Sequence, residues 1–139
     1  MRAFVLDCSA TMAFFFKDEA SSYTDAVFEA LATDARAVVP PIWPLEVANV
    51  CLTAERKKRI DSHEISEILS ILETFPIAVD ESSNPKTVRD ILALARKHHL
   101  TAYDAAYLEL AMRHGLPLAT LDKKLKQAAH KANIPLWRP

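Results

Sequence analysis

Four acidic residues stand where chemistry is possible, each in a separate part of the chain. Asp7 follows the apolar run AFVL, Asp122 follows LPLATL, and Glu46 lies within WPLEVANV. Asp104 lies inside LTAYDAAYLELA, a segment that is apolar nearly all the way round when it is drawn as a helix. Glu109, in the same segment, should point roughly 140° away from Asp104 and reach water. A carboxylate in apolar surroundings is costly unless something pairs with it, so Asp104 needs a partner.

Short apolar runs that alternate with helical patterns would position these acids. We predict strands at Ala3–Leu6, Ala37–Val39, Pro76–Val79, Leu116–Leu121 and Ile134–Trp137. Helical spacing covers Ser21–Ala32, Ile42–Arg59, Asp61–Phe75, a segment starting near Pro85, a segment starting near Ala102 and a lysine-rich segment after Asp122. Strands alternating with helices indicate an α/β fold. The expected architecture is a single domain, 1–139, with a central parallel sheet of four to five short strands and helices on both faces.

Capping residues mark two of these helices. Ser83 or Asn84 should cap the helix that begins with Pro85, and Gly115 should end the helix that begins near Ala102. Apolar residues at helical spacing in the first of these helices predict its buried stripe, which comprises Val88, Ile91, Leu92 and Ala95.

The predicted topology brings the four acids towards one edge of the sheet. Sites in open parallel sheets form beyond the carboxyl ends of the strands, where Asp7 and Asp122 stand. Glu46 and Asp104 lie in the first turns of helices that start near the same edge. Two unit charges about 4 Å apart repel by roughly 4 kcal/mol at an effective dielectric constant of about 20. Protons or a divalent cation must offset this repulsion, and oxygen-only ligands suit Mg²⁺ or Mn²⁺.

Composition excludes several classes of protein. The net charge is −1, so no overall basic field indicates nucleic acid, and the single glycine excludes P-loop and dinucleotide-binding motifs. Asp7 interrupts the N-terminal apolar run, and no stretch has the 18 or so apolar residues of a membrane span. Cys8 and Cys51 form no CxxC pair, which favours reduced thiols in a cytoplasmic protein.

The local sequences around the acids add a resemblance that covers essentially the whole chain. The order of the blocks FVLDCS, WPLEVANV, LTAYDAAYLELA and LATLDKKLKQAA resembles the PIN-domain ribonucleases, specifically the VapC-type toxins of toxin–antitoxin pairs. The third block is the most specific of the four. The acidic metal-binding set of that family would fall on Asp7, Glu46, Asp104 and Asp122. Residues that orient waters or carboxylates around it would fall on Ser9, Asn49 and Thr120.

The resemblance also implies an activity and partners. It implies hydrolysis of RNA phosphodiester bonds with Mg²⁺ or Mn²⁺, in a homodimer that is silenced by a small antitoxin protein. Some members carry a further acid shortly after the last Asp, whereas Lys123, Lys124 and Lys126 follow Asp122 here. These lysines could contact RNA phosphates, although a solvated helix end explains them equally well.

Each site residue also has a simpler interpretation. Asp7 and Asp122 could be helix N-caps, Glu46 could be a first-turn acid favoured by the helix dipole, and Arg96 or Lys97 could pair with Asp104. The aromatic residues Trp43 and Phe14 to Phe16 could be ordinary core, or an exposed patch near a groove for an antitoxin. The alternative functions are a phosphotransfer or phosphatase domain that uses Asp7 as nucleophile, and a non-catalytic module that binds RNA or a partner.

Overall fold

The computed structural model describes residues 2–82 and 84–139. Within these ranges the strands are β1 (Arg2–Leu6), β2 (Ala35–Val39), β3 (Ile77–Val79) and β4 (Leu118–Ala119). The helices are α1 (Cys8–Ala13), α2 (Ser22–Thr33), α3 (Ile42–Arg56), α4 (Ser62–Leu72), α5 (Pro85–His98), α6 (Ala102–His114) and α7 (Lys123–Lys131). None of the described helices is long and apolar enough to cross a membrane.

The four strands form one parallel sheet in the order β3-β2-β1-β4. Phe4, Val5 and Leu6 are consecutive in β1 and fully buried, and consecutive side chains of a strand point to opposite faces. Both faces of the sheet are therefore covered, and α2 packs against β2 while α6 packs against β1 and β4. The predicted α/β architecture is confirmed.

The predicted fifth strand is reduced to one parallel bridge between Leu118 and Leu136. On either side of this bridge, the Leu118 N–H donates to the Pro135 carbonyl and the Trp137 N–H donates to the Leu118 carbonyl. Pro135 has no N–H of its own to donate, which stops the ladder from extending towards residue 134.

The capping predictions locate two helix ends correctly. The Asn84 side chain accepts a hydrogen bond from the Thr87 N–H at 3.0 Å, and Pro85 is the first residue of α5. Gly115 ends α6 with φ at +62°, a left-handed conformation that glycine adopts without a side-chain clash. The alternative cap, Ser83, lies outside the described residues.

The aromatic residues that the sequence placed either in the core or in an exposed patch belong to the core. Trp43 and Phe16 are buried, and Phe14 and Phe15 pack against the same core. The Phe14 ring also stacks on that of Phe28, with the ring centroids 4.1 Å apart.

The predicted buried stripe of α5 is half right, since Ile91 and Ala95 are half-buried but Val88 and Leu92 are exposed. Val88 and Leu92 are 64% and 46% exposed, whereas Thr87 is buried and Leu94 is half-buried against the core. The inward face is rotated by about one residue because α5 packs mainly on α6 and has little contact with the sheet. The spacing of apolar residues correctly predicted that α5 is a helix. It did not predict which face of α5 packs against α6.

Glu109 does not reach water, contrary to the expectation from its position on α6. Its side chain is only 5% exposed, and its carboxylate accepts a 2.7 Å hydrogen bond from Nε of Arg113. The same guanidinium binds Asp80, just after β3, at 2.8 Å. Although burial opposes the effect, Arg113 holds the pKa of Asp80 below its usual value. A buried acid is tolerated here because it has a paired cation.

Removing that cation should destabilise the fold. We expect Arg113→Ala to lower the free energy of unfolding by about 2–4 kcal/mol, because it leaves the buried Glu109 without its ion-pair partner and Asp80 with only His114. Arg2→Ala is the matched control, since Arg2 and Asp34 form an exposed ion pair that should contribute less than about 1 kcal/mol. Urea unfolding at pH 7 measures both, and equal losses for the two variants would contradict the role of Arg113.

Candidate active site

Asp7 stands directly after β1 and is 4% exposed. One carboxylate oxygen accepts hydrogen bonds from the Ala10 N–H at 2.9 Å and from the Ser9 hydroxyl at 2.7 Å. The other oxygen accepts a hydrogen bond from the Thr120 hydroxyl. Asp7 is thus the N-cap of α1, as its simpler interpretation held, and it also lies at the carboxyl edge of the sheet.

Ser9 and Thr120 join the ends of β1 and β4 around Asp7. The Ser9 hydroxyl accepts a hydrogen bond from the Leu121 N–H, and the Thr120 hydroxyl accepts one from the Asp122 N–H, both at 3.0 Å. Two of the residues that the family resemblance selected therefore contact the first acid directly.

Burial raises the pKa of Asp7 to about 6. The hydrogen bonds from Ala10, Thr120 and Ser9 act in the opposite direction, and the negative charge of Asp122 raises the pKa further. Without a neighbouring cation, Asp7 is therefore partly protonated near pH 6, where an exposed aspartate is fully ionised.

Asp122 is the N-cap of α7, and its carboxylate accepts a hydrogen bond from the Leu125 N–H at 3.0 Å. The capping interpretation is therefore correct. It does not remove Asp122 from the site, because its charge raises the pKa of both Asp7 and Asp104.

Asp104 lies half-buried in the first turn of α6, behind the N-cap Thr101. Burial and then the charge of Asp122 raise its pKa, while Thr101 and the positive charge of Lys124 lower it. Neither Arg96 nor Lys97 forms an ion pair with Asp104 in the part of the chain that the structure describes.

Glu46 is half-buried on α3 and accepts a hydrogen bond from the hydroxyl of Tyr107 at 2.5 Å. Burial raises the pKa of Glu46, Tyr107 opposes this, and the charge of Asp104 adds to it. Tyr107 is 1% exposed, and the sequence interpretation assigned it no role at the site. Its position three residues after Asp104, on the same face of α6, was the available signal.

The remaining predicted site residues are less tightly placed. Asn49 is exposed on α3 and makes no side-chain hydrogen bond among the described residues, so its role stays a prediction. Lys123 and Lys124 are exposed at the start of α7, and Lys126 is half-buried one turn further on. Burial raises the pKa of the Cys8 thiol to about 12, so Cys8 is no nucleophile at neutral pH.

The acids are electrostatic neighbours in the order Asp7, Asp122, Asp104 and Glu46. Of the residues described, no group of three or more His, Cys, Asp or Glu side chains is arranged to hold a metal ion by itself. Mg²⁺, however, usually keeps several waters and binds through one or two carboxylates and a substrate phosphate. A set of neighbouring carboxylates that raise one another's pKa values fits such an ion in chemistry and in charge.

Comparison with known proteins gives the family. The PIN domain model matches residues 4–131, so the chain belongs to the PIN-domain family. It is 32% identical to Ribonuclease VapC3 of Pyrobaculum aerophilum over 123 residues, which cover 88% of this chain and 92% of that protein. The family resemblance seen in the sequence is confirmed.

Solved structures share the fold. PAE2754 from Pyrobaculum aerophilum matches with a TM-score of 0.65 and 23% identity, over 91% of this chain and 86% of that one. FitAcB from Neisseria gonorrhoeae matches with a TM-score of 0.60 and 19% identity, over 100% and 98% of the two chains. A toxin–antitoxin complex from Klebsiella pneumoniae matches with a TM-score of 0.55 and 19% identity, over 87% and 88%.

The raised pKa of Asp7 predicts a specific pH dependence of stability in EDTA. Folding raises this pKa from 3.8 to about 6, so the contribution of Asp7 is fully present below pH 3.8 and is lost as the pH rises through about 6. Relative to Asp7→Asn, the wild-type protein should lose about 2–3 kcal/mol of unfolding free energy between pH 4 and pH 8. Denaturant unfolding at several pH values measures this, and a constant difference between the two proteins would contradict it.

Proposed function

We propose that this protein is a divalent-metal-dependent ribonuclease that hydrolyses RNA phosphodiester bonds and acts as the toxin of a toxin–antitoxin module. The observation that carries the proposal is the row of four neighbouring carboxylates at the carboxyl edge of the sheet, three of them with raised pKa values. The proposal is supported by membership of the PIN-domain family and by similarity to a protein named as a ribonuclease.

Asp7, Asp104 and Asp122 would hold Mg²⁺ or Mn²⁺ directly or through its waters, and Glu46 would be a further ligand or the general base. When bound, the ion would polarise the scissile phosphate and lower the pKa of a water. This role matches the donor set, because a cation offsets the repulsion that burial of the acids otherwise leaves.

The chain's own residues would orient the reacting groups. Ser9 and Thr120 fix both oxygens of Asp7, which leaves that carboxylate little rotational freedom. Tyr107 fixes one oxygen of Glu46, so the free oxygen is the one available to accept a proton from the attacking water. Asn49 would orient waters at the exposed side of the site.

Membership of the PIN-domain family and similarity to a protein named as a ribonuclease favour hydrolysis over phosphotransfer through Asp7. A non-catalytic RNA-binding or partner-binding module would have no need of four neighbouring acids that form no ion pair among the described residues.

The proposed partners are RNA, an antitoxin and a second copy of the chain, all in the cytoplasm. A groove of about 460 Å³ between α3 and α4 has apolar walls that include Val47, Leu52 and Leu69, and it suits a segment of an antitoxin. The exposed Val88 and Leu92 of α5 leave apolar surface for a homodimer. One of the structures that share this fold is a toxin–antitoxin complex.

Substitution of the acids tests the proposed activity. Purified protein should cleave mixed single-stranded RNA with Mg²⁺ or Mn²⁺ and not in EDTA. We expect Asp7→Asn and Asp104→Asn to lower kcat/KM by more than about 100-fold, because even partners outside the ligand set typically cost 10–100-fold. Gel analysis of end-labelled RNA measures the cleavage rate.

Asp25→Asn is the matched control, since Asp25 is an exposed acid in the first turn of α2. It should cleave RNA like the wild-type protein. Cleavage that persists in EDTA or in both site variants would overturn the metal-dependent ribonuclease. Acid-labile phosphate on Asp7 would instead support the phosphotransfer alternative.

Tyr107→Phe tests how Glu46 is held. The substitution removes one hydroxyl and keeps the buried ring, so Glu46 loses its hydrogen-bond donor while the core stays packed. We expect kcat to fall by about tenfold and the Mn²⁺ concentration for half-maximal activity to rise. Tyr103→Phe, at an exposed position of the same helix, should change neither value. Unaltered kcat and Mn²⁺ dependence in Tyr107→Phe would refute this role.

A further inference from the structure

A cleft of about 430 Å³ lies beside the candidate active site and has no role in the chemistry described above. Its lining includes Tyr23, Thr120, Lys126, Trp137 and Arg138. Thr120 is the residue whose hydroxyl binds Asp7, so the cleft opens directly next to the first acid. Its volume is within the range of small-molecule sites and is sufficient for one nucleotide unit.

The C-terminal segment runs parallel to β4 and lines one side of the cleft. The bridge at Leu136 is parallel to β4, so the chain leaves it at the same edge of the sheet at which Thr120 leaves β4. Arg138 therefore comes to the edge that carries the acids. The Tyr23 hydroxyl donates to the Trp137 carbonyl at 3.1 Å, and the two rings are in edge contact, which holds this wall in place.

Helix α7 contributes Lys126 to the lining of the cleft. Its N-cap is Asp122, and the Lys126 N–H donates to the Asp122 carbonyl at 2.9 Å, so Lys126 lies one turn from the acid. Unlike the exposed Lys123 and Lys124, Lys126 is half-buried in the cleft.

The two cations of the cleft lack acidic partners. Among residues 2–82 and 84–139, neither Lys126 nor Arg138 takes part in an ion pair. Burial and then the nearby charge of Asp7 raise the pKa of Tyr23 to about 12, which shows that the field of the acids extends to this wall. A ligand that spans the cleft and the neighbouring acids must place a negatively charged group in the cleft. Beside the acids it must place a group that binds the metal ion they would hold.

We propose that this cleft binds a backbone phosphate of the RNA next to the scissile phosphodiester, with Lys126 and Arg138 as its donors. The inference rests on the proposed ribonuclease function, for which it supplies the contact that aligns the strand. The chain has a net charge of −1 and no overall basic field, so local cations next to the acids must provide the attraction for RNA.

Binding of a fluorescein-labelled single-stranded RNA of mixed sequence tests the cleft, measured by anisotropy in EDTA over a range of NaCl concentrations. Lys126→Ala and Arg138→Ala should each reduce the slope of log K against log salt by about 0.7, and the double variant by about 1.4. Lys131→Ala is the matched control, because it removes the same charge from the exposed end of α7 and does not line the cleft. A single-stranded DNA of the same sequence should show the same losses, since the contacted group is a phosphate.

Cleavage kinetics with Mn²⁺ separate this inference from the proposed function. For Lys126→Ala and Arg138→Ala, KM should rise with kcat within about twofold of wild type, because the contact binds substrate and transition state alike. If the wild-type protein cleaves RNA but Lys126→Ala and Arg138→Ala have the same salt slope and KM as Lys131→Ala, the cleft does not bind a phosphate. The proposed ribonuclease function would then still stand. RNA binding that depends on both cations without any cleavage would overturn the ribonuclease and leave the cleft.

Discussion

The burial of the Asp7 carboxylate is the constraint on which the arrangement of the site depends. Desolvation favours the neutral acid, whereas the hydrogen bonds from Ser9, Ala10 and Thr120 favour the carboxylate and fix its direction. These donors come from the segments after β1 and β4, so the same bonds that hold the acid also join two parts of the chain 113 residues apart. A cation at this edge would relieve the cost of burial.

The parallel sheet supplies the common edge. β1 lies between β2 and β4, and residues that follow parallel strands emerge on one side, as Asp7 and Thr120 do. Helices α3 and α6 then bring Glu46 and Asp104 towards the same side. The C-terminal segment follows the same rule with a single bridge, and it carries Arg138 to the edge without forming a full strand.

Two groups of buried or half-buried acids in this protein differ in whether a side-chain cation offsets the cost of burial. Glu109 and Asp80 share the guanidinium of Arg113, and the pKa of Asp80 is lowered. Asp7 and Asp104 have no such arginine in the described structure, and their pKa values are raised. Burial of an acid is therefore not a sign of function by itself, and the absence of a paired side-chain cation is what distinguishes the candidate site.

Local features of the sequence were sufficient for the α/β class and for the caps at Asn84 and Gly115, because alternating periodicity and capping chemistry act over a few neighbouring residues. The catalytic role of the four acids stays a prediction. Contacts between distant segments were not predictable in the same way. The face of α5 that packs inwards, the pairing of Glu109 with Arg113 and Asp80, and the bond from Tyr107 to Glu46 all depend on which helix covers which surface. Periodicity defines a stripe on a helix but contains no information on what lies opposite, and only the packed structure decides that.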